Sequence, residues 1–198
     1  MPKRKFEMPV PFPLSPRPPR RSPSAGFTLI ELAAVLAIVA ILCCVASPGL
    51  SRTVSTRALA AQSSEFMAAL RFARAEALKR GTVVTVCASM VGAASPACQG
   101  PHAADWRAGW IVFADLGRRG VVDSHDPVLR VQGPLRITGG VAGTRGSISF
   151  TAAGFATDAS SHYLFTPPAE AALDAPPSVM VCVSKQGRPR LGGAGACE

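Results

Sequence analysis

The chain has 198 residues, enough for one domain with a sizeable core plus accessory segments. Lysine and arginine number 21 against 12 acidic residues, but six of the basic residues precede Gly26. The rest of the chain is only mildly basic. A large share of the net positive charge therefore belongs to the N-terminal segment and not to the predicted domain.

Residues 1–26 are basic and proline-rich and show no apolar periodicity. They hold eight of the 18 prolines of the chain. A segment of this composition cannot bury enough apolar surface to pack, so we predict that it is disordered or polyproline-like. We interpret it as a targeting segment and exclude it from the reasoning about the fold.

The next 20 residues, Phe27–Ala46, form a predominantly apolar run in which Glu31 is the only charged residue. A helix of that length measures about 30 Å, roughly the hydrocarbon thickness of a bilayer. The run is too long for an ordinary secretory signal and no small-residue cleavage site follows it, so it predicts a transmembrane anchor. The positive leader places the N-terminus in the cytoplasm and the residues after Ser47 outside. A lone carboxylate in lipid is costly, which makes Glu31 a candidate functional residue.

Helical periodicity resumes after Pro48 and Gly49. Apolar residues recur on one face, which predicts an amphipathic stripe made of Leu59, Phe66, Leu70, Ala73 and Ala77. Gly81 is a stop signal. We therefore expect one helix over residues 27–80, transmembrane to about residue 47. A kink is expected at Pro48, because the proline ring removes a backbone hydrogen bond.

After Gly81 the pattern changes to short runs of β-branched and aromatic residues separated by turn residues. Six strands are predicted, at Thr82–Ala88, Gly109–Ala114, Val128–Val131, Ser147–Thr151, Tyr163–Thr166 and Val179–Ser184. No second long helical pattern is present in the sequence. The predicted fold class is α+β, with a long N-terminal transmembrane helix packed on an antiparallel β domain of residues 81–198 that ends in a C-terminal tail.

The six cysteines divide by compartment. Cys43 and Cys44 lie inside the apolar run, where they are expected to be small apolar filler. The other four would face an oxidising space: Cys87, Cys98, Cys182 and Cys197. Four cysteines allow three pairings, and the sequence-local one, Cys87–Cys98 and Cys182–Cys197, closes two short loops.

The sequence carries no recognisable catalytic constellation, so an enzyme is not expected, and neither is a cofactor. His102, His125 and His162 are far apart and lack metal-ligand spacing. The acidic stretch Asp115–Asp126 invites a calcium interpretation, but an EF-hand would need oxygen ligands where Gly117 and Arg119 stand. A different calcium site is an open alternative, with Asp115, Asp123 and Asp126 as ligands. A solvated hairpin turn is the favoured interpretation.

The stretch GFTLIEL, Gly26–Leu32, between a basic leader and a long apolar helix, resembles the class III signal of type IV prepilins and pseudopilins. The resemblance implies cleavage between Gly26 and Phe27 by a prepilin peptidase, followed by N-methylation of Phe27. It implies that Glu31 faces the positive N-terminus of a neighbouring subunit. This pairing would stabilise docking in one register. Pro48 matches the kinking proline of that family. The leader is long for the family, and Met8 is an alternative start that would shorten it.

Three further stretches resemble the GspH/FimT branch of minor pilins and pseudopilins: Arg71–Cys87, Trp106–Asp115 and Gly187–Leu191. The resemblance implies a non-enzymatic subunit in the inner membrane, with a single pass and a periplasmic β domain. Such a subunit would enter a periplasmic or extracellular filament, and its partners would be other pilin subunits and the prepilin peptidase. Membership of a pilus or of a type II secretion system is left open.

FimT-like subunits also resemble DNA receptors for natural transformation, which act through a C-terminal G-R-x-R motif. The motif here is Gly187–Arg190, with Lys185 just before it. If the segment is extended, Arg188 and Arg190 project from one face about 7 Å apart, a spacing suited to successive phosphates of one DNA strand. Two alternatives stay open: non-specific binding of double-stranded DNA through Lys185, Arg188 and Arg190, or an ordinary solvated pair in a flexible tail of a purely structural subunit.

Overall fold

The computed structural model describes residues 26–100, 102–135, 139–157, 161–168, 176–192 and 197, without the side chains of residues 44–52. Residues 1–25 of the leader, with the alternative start Met8, lie outside this description, and so do the side chains of Cys44 and Pro48. The predicted kink at Pro48 therefore stays a prediction. The chain divides into two compact units, Met1–Cys44 and Val45–Glu198.

The described part of the first unit is the beginning of a long helix. The helix, α1, spans Leu29–Arg80 and so begins two residues later than predicted. The difference has a local cause: the hydroxyl oxygen of Thr28 accepts a hydrogen bond from the Glu31 amide (3.3 Å), so Thr28 caps the helix from outside it. The apolar side chains that follow are exposed. Within the described residues, no helix meets the length and hydropathy expected of a membrane span.

In the second unit, the predicted apolar stripe of α1 forms one wall of the main core. All five predicted stripe residues are buried, which confirms the helical periodicity. Phe66 is the centre of this wall, because its ring lies within 6 Å of four other aromatic rings: Trp106, Trp110, Tyr163 and Phe165. Edge-to-face geometry dominates these contacts, an arrangement that aromatic quadrupoles favour. The helix ends at Arg80 as predicted, and Gly81 follows with a φ of 65°.

The first antiparallel sheet has the strand order β3-β2-β1-β5. Its strands are β1 Val84–Ala88, β2 Trp110–Ala114, β3 Val128–Gln132 and β5 Ser147–Phe150. The inner face contributes Val84, Val86 and Ile148, among others, to the same core as the helix stripe. Both β1 and β2 are buried along their whole length, because residues on their outer face form a second, smaller cluster with Cys98 and Val122. This second cluster contains Cys87, Ile111 and Phe113.

The second antiparallel sheet has the order β4-β6-β7-β8. Its strands are β4 Gly140–Gly143, β6 Ser161–Thr166, β7 Val179–Val183 and β8 Pro189–Gly192. The inner face adds Val141, Tyr163, Phe165, Val181 and Val183 to the main core. One helix stripe and two sheets thus share a single apolar interior, which confirms the predicted helix on an antiparallel β domain.

All six predicted strands are present, but β4 and β8 were not predicted. The prediction of a C-terminal tail is therefore wrong for residues 189–192, which pair with β7 in register from Met180↔Gly192 to Val183↔Pro189. The strand places Arg190 opposite Cys182. The two arginines that the tail interpretation placed in a flexible segment thus lie on the sheet (Arg190) and directly beside it (Arg188).

The cysteines adopt the sequence-local arrangement among the three that were open. Cys87 is bonded to Cys98, and Cys182 to Cys197. The first bond ties the loop after β1 to the second cluster under the first sheet. The second bond fixes Cys197 to β7, the strand that pairs with β8. Cys43 is unbonded and exposed.

Candidate functional sites

The residues predicted for processing and assembly lie together at the start of α1. Gly26 and Phe27 precede the helix in non-regular conformation, and Phe27 is 85% exposed. Glu31 is exposed in the first helical turn. The free amides of a helix N-terminus carry partial positive charge, so a carboxylate is favourable there. The bond from Gly26 to Phe27 and the Glu31 carboxylate are both accessible in this unit.

The sequence interpretation missed the role of Thr28. Thr28 and Glu31 stand three residues apart at the helix start, the spacing of a capping box. Besides the hydroxyl contact to the Glu31 amide, the Thr28 carbonyl accepts the Leu32 amide (3.1 Å). Thr28 thus fixes where the helix begins relative to Phe27. The signal was present in the sequence, as a Ser/Thr followed three residues later by Glu before an apolar run.

The predicted DNA-binding residues lie on the turn and the second strand of the β7–β8 hairpin. The turn is closed by two backbone hydrogen bonds, from the Gly187 amide to the Ser184 carbonyl (2.8 Å) and from the Ser184 amide to the Arg188 carbonyl (3.2 Å). Lys185 is exposed within the turn, and Arg188 and Arg190 are exposed after it. The structure therefore brings the three cations together on one hairpin.

The hairpin also sets the direction of the two arginines. Pro189 is paired with Val183, and Arg190 with Cys182. Arg188 directly precedes β8, and residues two apart in an extended segment project from the same face, so we expect Arg188 and Arg190 to share one face about 7 Å apart. Pro189 lacks an amide hydrogen, which is tolerated here because β8 is the edge strand of its sheet.

Gly187 is required by the geometry of this turn. Its φ is 71°, a left-handed conformation that side chains disfavour. A methyl group added there would overlap the Gly154 carbonyl oxygen and lie 3.3 Å from ring atoms of Phe150. The glycine of the G-R-P-R sequence thus lets the hairpin turn pack against the neighbouring turn at residues 151–155.

A helix residue is anchored at the same place. The Nε of Arg74 donates to the Gly154 carbonyl (2.9 Å), and the Ala156 amide donates to the Lys185 carbonyl (3.1 Å). These bonds connect α1, the 151–155 turn and the hairpin turn. Sequence reasoning did not assign Arg74 to the basic site, because its distance from Lys185 in the chain exceeds 100 residues.

The acidic stretch connects the paired antiparallel strands β2 and β3, and six of its twelve residues are exposed, as expected of a solvated hairpin turn, but two of its carboxylates are not. Asp115 and Asp126 are buried. Asp126 accepts the amides of Leu116, Gly117 and Asp123, and Asp115 accepts the Thr85 hydroxyl (2.6 Å) and the Gly120 amide. Loop amides and a hydroxyl thus satisfy both carboxylates as hydrogen-bond acceptors. These bonds hold the backbone of the loop in place.

Asp123 belongs to the same loop but is partly exposed. It accepts the His125 amide (2.8 Å) and the Arg118 amide (3.3 Å). These bonds, led by that from His125, hold the pKa of the Asp123 carboxyl below its usual value. Within the described ranges, no three His, Cys, Asp or Glu residues are grouped so that they could hold a metal ion. His102, His125 and His162 are all exposed.

Comparisons with known proteins identify the family of the chain's folded part. A family model described as type II transport protein GspH matches residues 62–187. A second model, the prokaryotic N-terminal methylation motif, matches residues 21–43. A search of curated protein sequences finds no significant match.

Among solved structures, the type IV minor pilin FimU of Pseudomonas aeruginosa is similar in two crystal forms. One has a TM-score of 0.50 at 17% identity, covering 71% of this chain and 92% of FimU. The other has a TM-score of 0.47 at 16% identity, covering 69% and 94%. At this identity the first likeness shows a shared fold, that of a helix followed by antiparallel sheets.

Proposed function

The chain belongs to the GspH family and is a minor pilin or pseudopilin, and on that premise we propose that its β7–β8 hairpin binds DNA. The matching family is described as type II transport protein GspH, and the fold is shared with the minor pilin FimU. The observation that carries the proposal is the arrangement of Lys185, Arg188 and Arg190, three exposed cations on one hairpin. Cations spaced like this suit successive backbone phosphates, which carry no sequence information.

We further propose that the chain is made as a precursor. The methylation motif covers the segment around Gly26 and Phe27. A prepilin peptidase would cleave between these two residues, and Phe27 would then be N-methylated. The apolar run that follows would anchor the subunit in the inner membrane, with its N-terminus in the cytoplasm and its β domain in the periplasm. The mature subunit would join a periplasmic or extracellular filament.

Assembly would proceed through Glu31. Its carboxylate is exposed in the first turn of α1. In a filament this carboxylate would pair with the positive N-terminus of a neighbouring subunit. Docking out of register would leave the charge unpaired in lipid, which is energetically unfavourable. The partners are accordingly other pilin or pseudopilin subunits.

A second function, that of a purely structural pseudopilin of type II protein secretion, is favoured by the description of the matching family. In that case the hairpin arginines would be solvated surface charges, which contribute little to stability. The two functions differ in one measurable property, the affinity of the hairpin for DNA.

The experiment compares two pairs of arginines in the full-length chain, kept soluble in a non-ionic detergent. One variant replaces Arg188 and Arg190 with Gln. The matched control replaces Arg118 and Arg119, an exposed pair on the β2–β3 loop, so that net charge falls equally. Binding of a fluorescein-labelled duplex is followed by anisotropy at several salt concentrations.

We expect weak binding by the parent chain, with a slope of log affinity against log salt of about −2 to −3 for two or three phosphates. The hairpin variant should lose most of this binding and the control variant little. Useful affinity in the cell would then require several subunits acting together. Equal affinity of the parent chain and the hairpin variant would favour the purely structural function.

A further inference from the structure

Phe155 is an aromatic side chain in an unusual position for this domain. It is 53% exposed, whereas the other aromatic residues described in the second unit are buried or half-buried. Its backbone is fixed by the 151–155 turn: the Thr151 amide donates to the Phe155 carbonyl (2.9 Å), and the Phe155 amide donates to the Thr151 hydroxyl (3.2 Å). An exposed ring on a constrained turn is preorganised for contact with another molecule.

The turn that carries Phe155 is hydrogen-bonded to two basic residues, to Arg74 through its side chain and to Lys185 through its backbone. Gly154, the preceding residue, accepts the Arg74 Nε, and Ala156, the following residue, donates to the Lys185 carbonyl. Gly154 also lies against Gly187, the residue before Arg188. The acidic residue nearest to Arg74 on the helix, Glu76, is paired with Lys79 and Arg80. Arg74, Lys185 and Arg188 thus belong to segments that pack on this turn, which favours an anionic partner over a cationic one.

We propose that Phe155 stacks on an unpaired nucleobase while Arg74, Lys185 and Arg188 contact the adjoining phosphates, so that the site prefers single-stranded to double-stranded DNA. This inference rests on the proposed DNA binding. Stacking on an aromatic ring is open to any base, because every base has a π-face, whereas the bases of a duplex are already stacked and paired. A duplex would use the cations alone, but a single strand would use the cations and the ring.

The test measures binding of single-stranded and double-stranded DNA of equal length to the full-length chain in detergent, by anisotropy at low salt. The parent chain should bind the single strand more tightly. Phe155→Leu keeps an apolar side chain but removes the ring, and should weaken single-strand binding about 5- to 100-fold, the range for one stacked base. Duplex binding should change less than about twofold, since the phosphate contacts remain.

Two further variants make the result specific to stacking. Phe155→Trp should retain single-strand binding, and its indole fluorescence should be quenched by the bound strand. Leu116→Ala, which shortens another side chain of similar exposure (55%), should leave both affinities unchanged. Thermal melts of all variants should agree, because the altered side chains are exposed.

The proposal is overturned if the parent chain shows no preference for the single strand, or if Phe155→Leu weakens both kinds of DNA equally. It is also overturned if Phe155→Leu binds DNA normally but no longer joins partner subunits, which would assign the ring to protein docking. In these cases the proposed function still stands if the Arg188 and Arg190 variant loses binding. Absence of binding to either kind of DNA would overturn both proposals together.

Discussion

Replacement of Gly187 by Ala should lower the free energy of unfolding for two reasons, its left-handed backbone and its close packing. It should therefore be more destabilising than the same replacement at a left-handed glycine without close neighbours. At φ 71° an alanine pays the cost of the left-handed region, about 1–2 kcal/mol. Its methyl group would also overlap the Gly154 carbonyl oxygen, which is backbone and cannot rotate away. Forcing the two turns apart should add about 1–3 kcal/mol, the usual cost of overpacking.

Gly92 offers a matched control. Its φ of 73° is almost the same, but a methyl group there would meet no atom within 4 Å. Gly92→Ala should therefore carry only the backbone cost. For a chain of this size each kcal/mol lowers the melting temperature by about 2–4 °C, so the two variants should be separated by several degrees in a calorimetric melt of the full-length chain.

The same substitution should also reduce DNA affinity, because Arg188 directly follows Gly187 and would move with the turn. Gly92→Ala should leave DNA binding as it is in the parent chain. If Gly187→Ala melted at the same temperature as Gly92→Ala, the close packing of the hairpin turn on the 151–155 turn would be refuted, and with it the account of how the arginines are positioned.

Three other predictions concern assembly, covalent structure and the core. Glu31→Ala should leave membrane insertion intact, since it removes a charge, but should reduce incorporation into filaments in a pull-down with partner subunits; unchanged incorporation would contradict the pairing of this carboxylate. Non-reducing peptide mass spectrometry should recover Cys87–Cys98 and Cys182–Cys197, and a crossed pairing would be inconsistent with the structure. Phe66→Ala should cost about 3–5 kcal/mol in chemical unfolding, because its ring contacts four others; a loss below about 1 kcal/mol would show that this ring is not the hub of the core.

Periodicity predicted the elements that have a strong apolar pattern. The stripe from Leu59 to Ala77 follows the helical repeat, and each of its five residues is buried. The strands β1 and β2 were recognised from their β-branched and aromatic residues. Their burial on both faces was not predicted, because it depends on the second cluster and the loop beyond Cys87, which only tertiary packing brings together.

The two missed strands lack such a pattern. β4 is Gly140–Gly143, with two glycines and one alanine among four residues, and β8 begins with a proline and contains an arginine and a glycine. These residues are disfavoured in strands, so local propensity predicts loops. Both strands exist because a partner strand supplies the hydrogen bonds, β6 for β4 and β7 for β8.

The candidate site could be predicted only in part. The G-R-x-R resemblance pointed to Arg188 and Arg190, and the extended backbone that was a condition of that prediction is present from Pro189, directly after Arg188. Arg74 and Phe155 could not be assigned, because neither belongs to a motif. Arg74 bonds to the Gly154 carbonyl, and Phe155 precedes Ala156, whose amide bonds to the Lys185 carbonyl. The burial of Asp115 and Asp126 within the otherwise largely exposed acidic loop was not predicted for the same reason, since their carboxylates accept hydrogen bonds from groups that the fold brings to them.

The central claim, that the chain is a processed subunit of the pilin type, is tested most directly at its N-terminus. The full-length chain should be expressed with and without a prepilin peptidase, and the mature protein analysed by mass spectrometry and N-terminal sequencing. The account predicts a chain that begins at N-methylated Phe27 only when the peptidase is present, and Gly26→Ala should impair this cleavage. A chain that stays uncleaved with the active peptidase, or one that is cut after Ala46, would contradict the account.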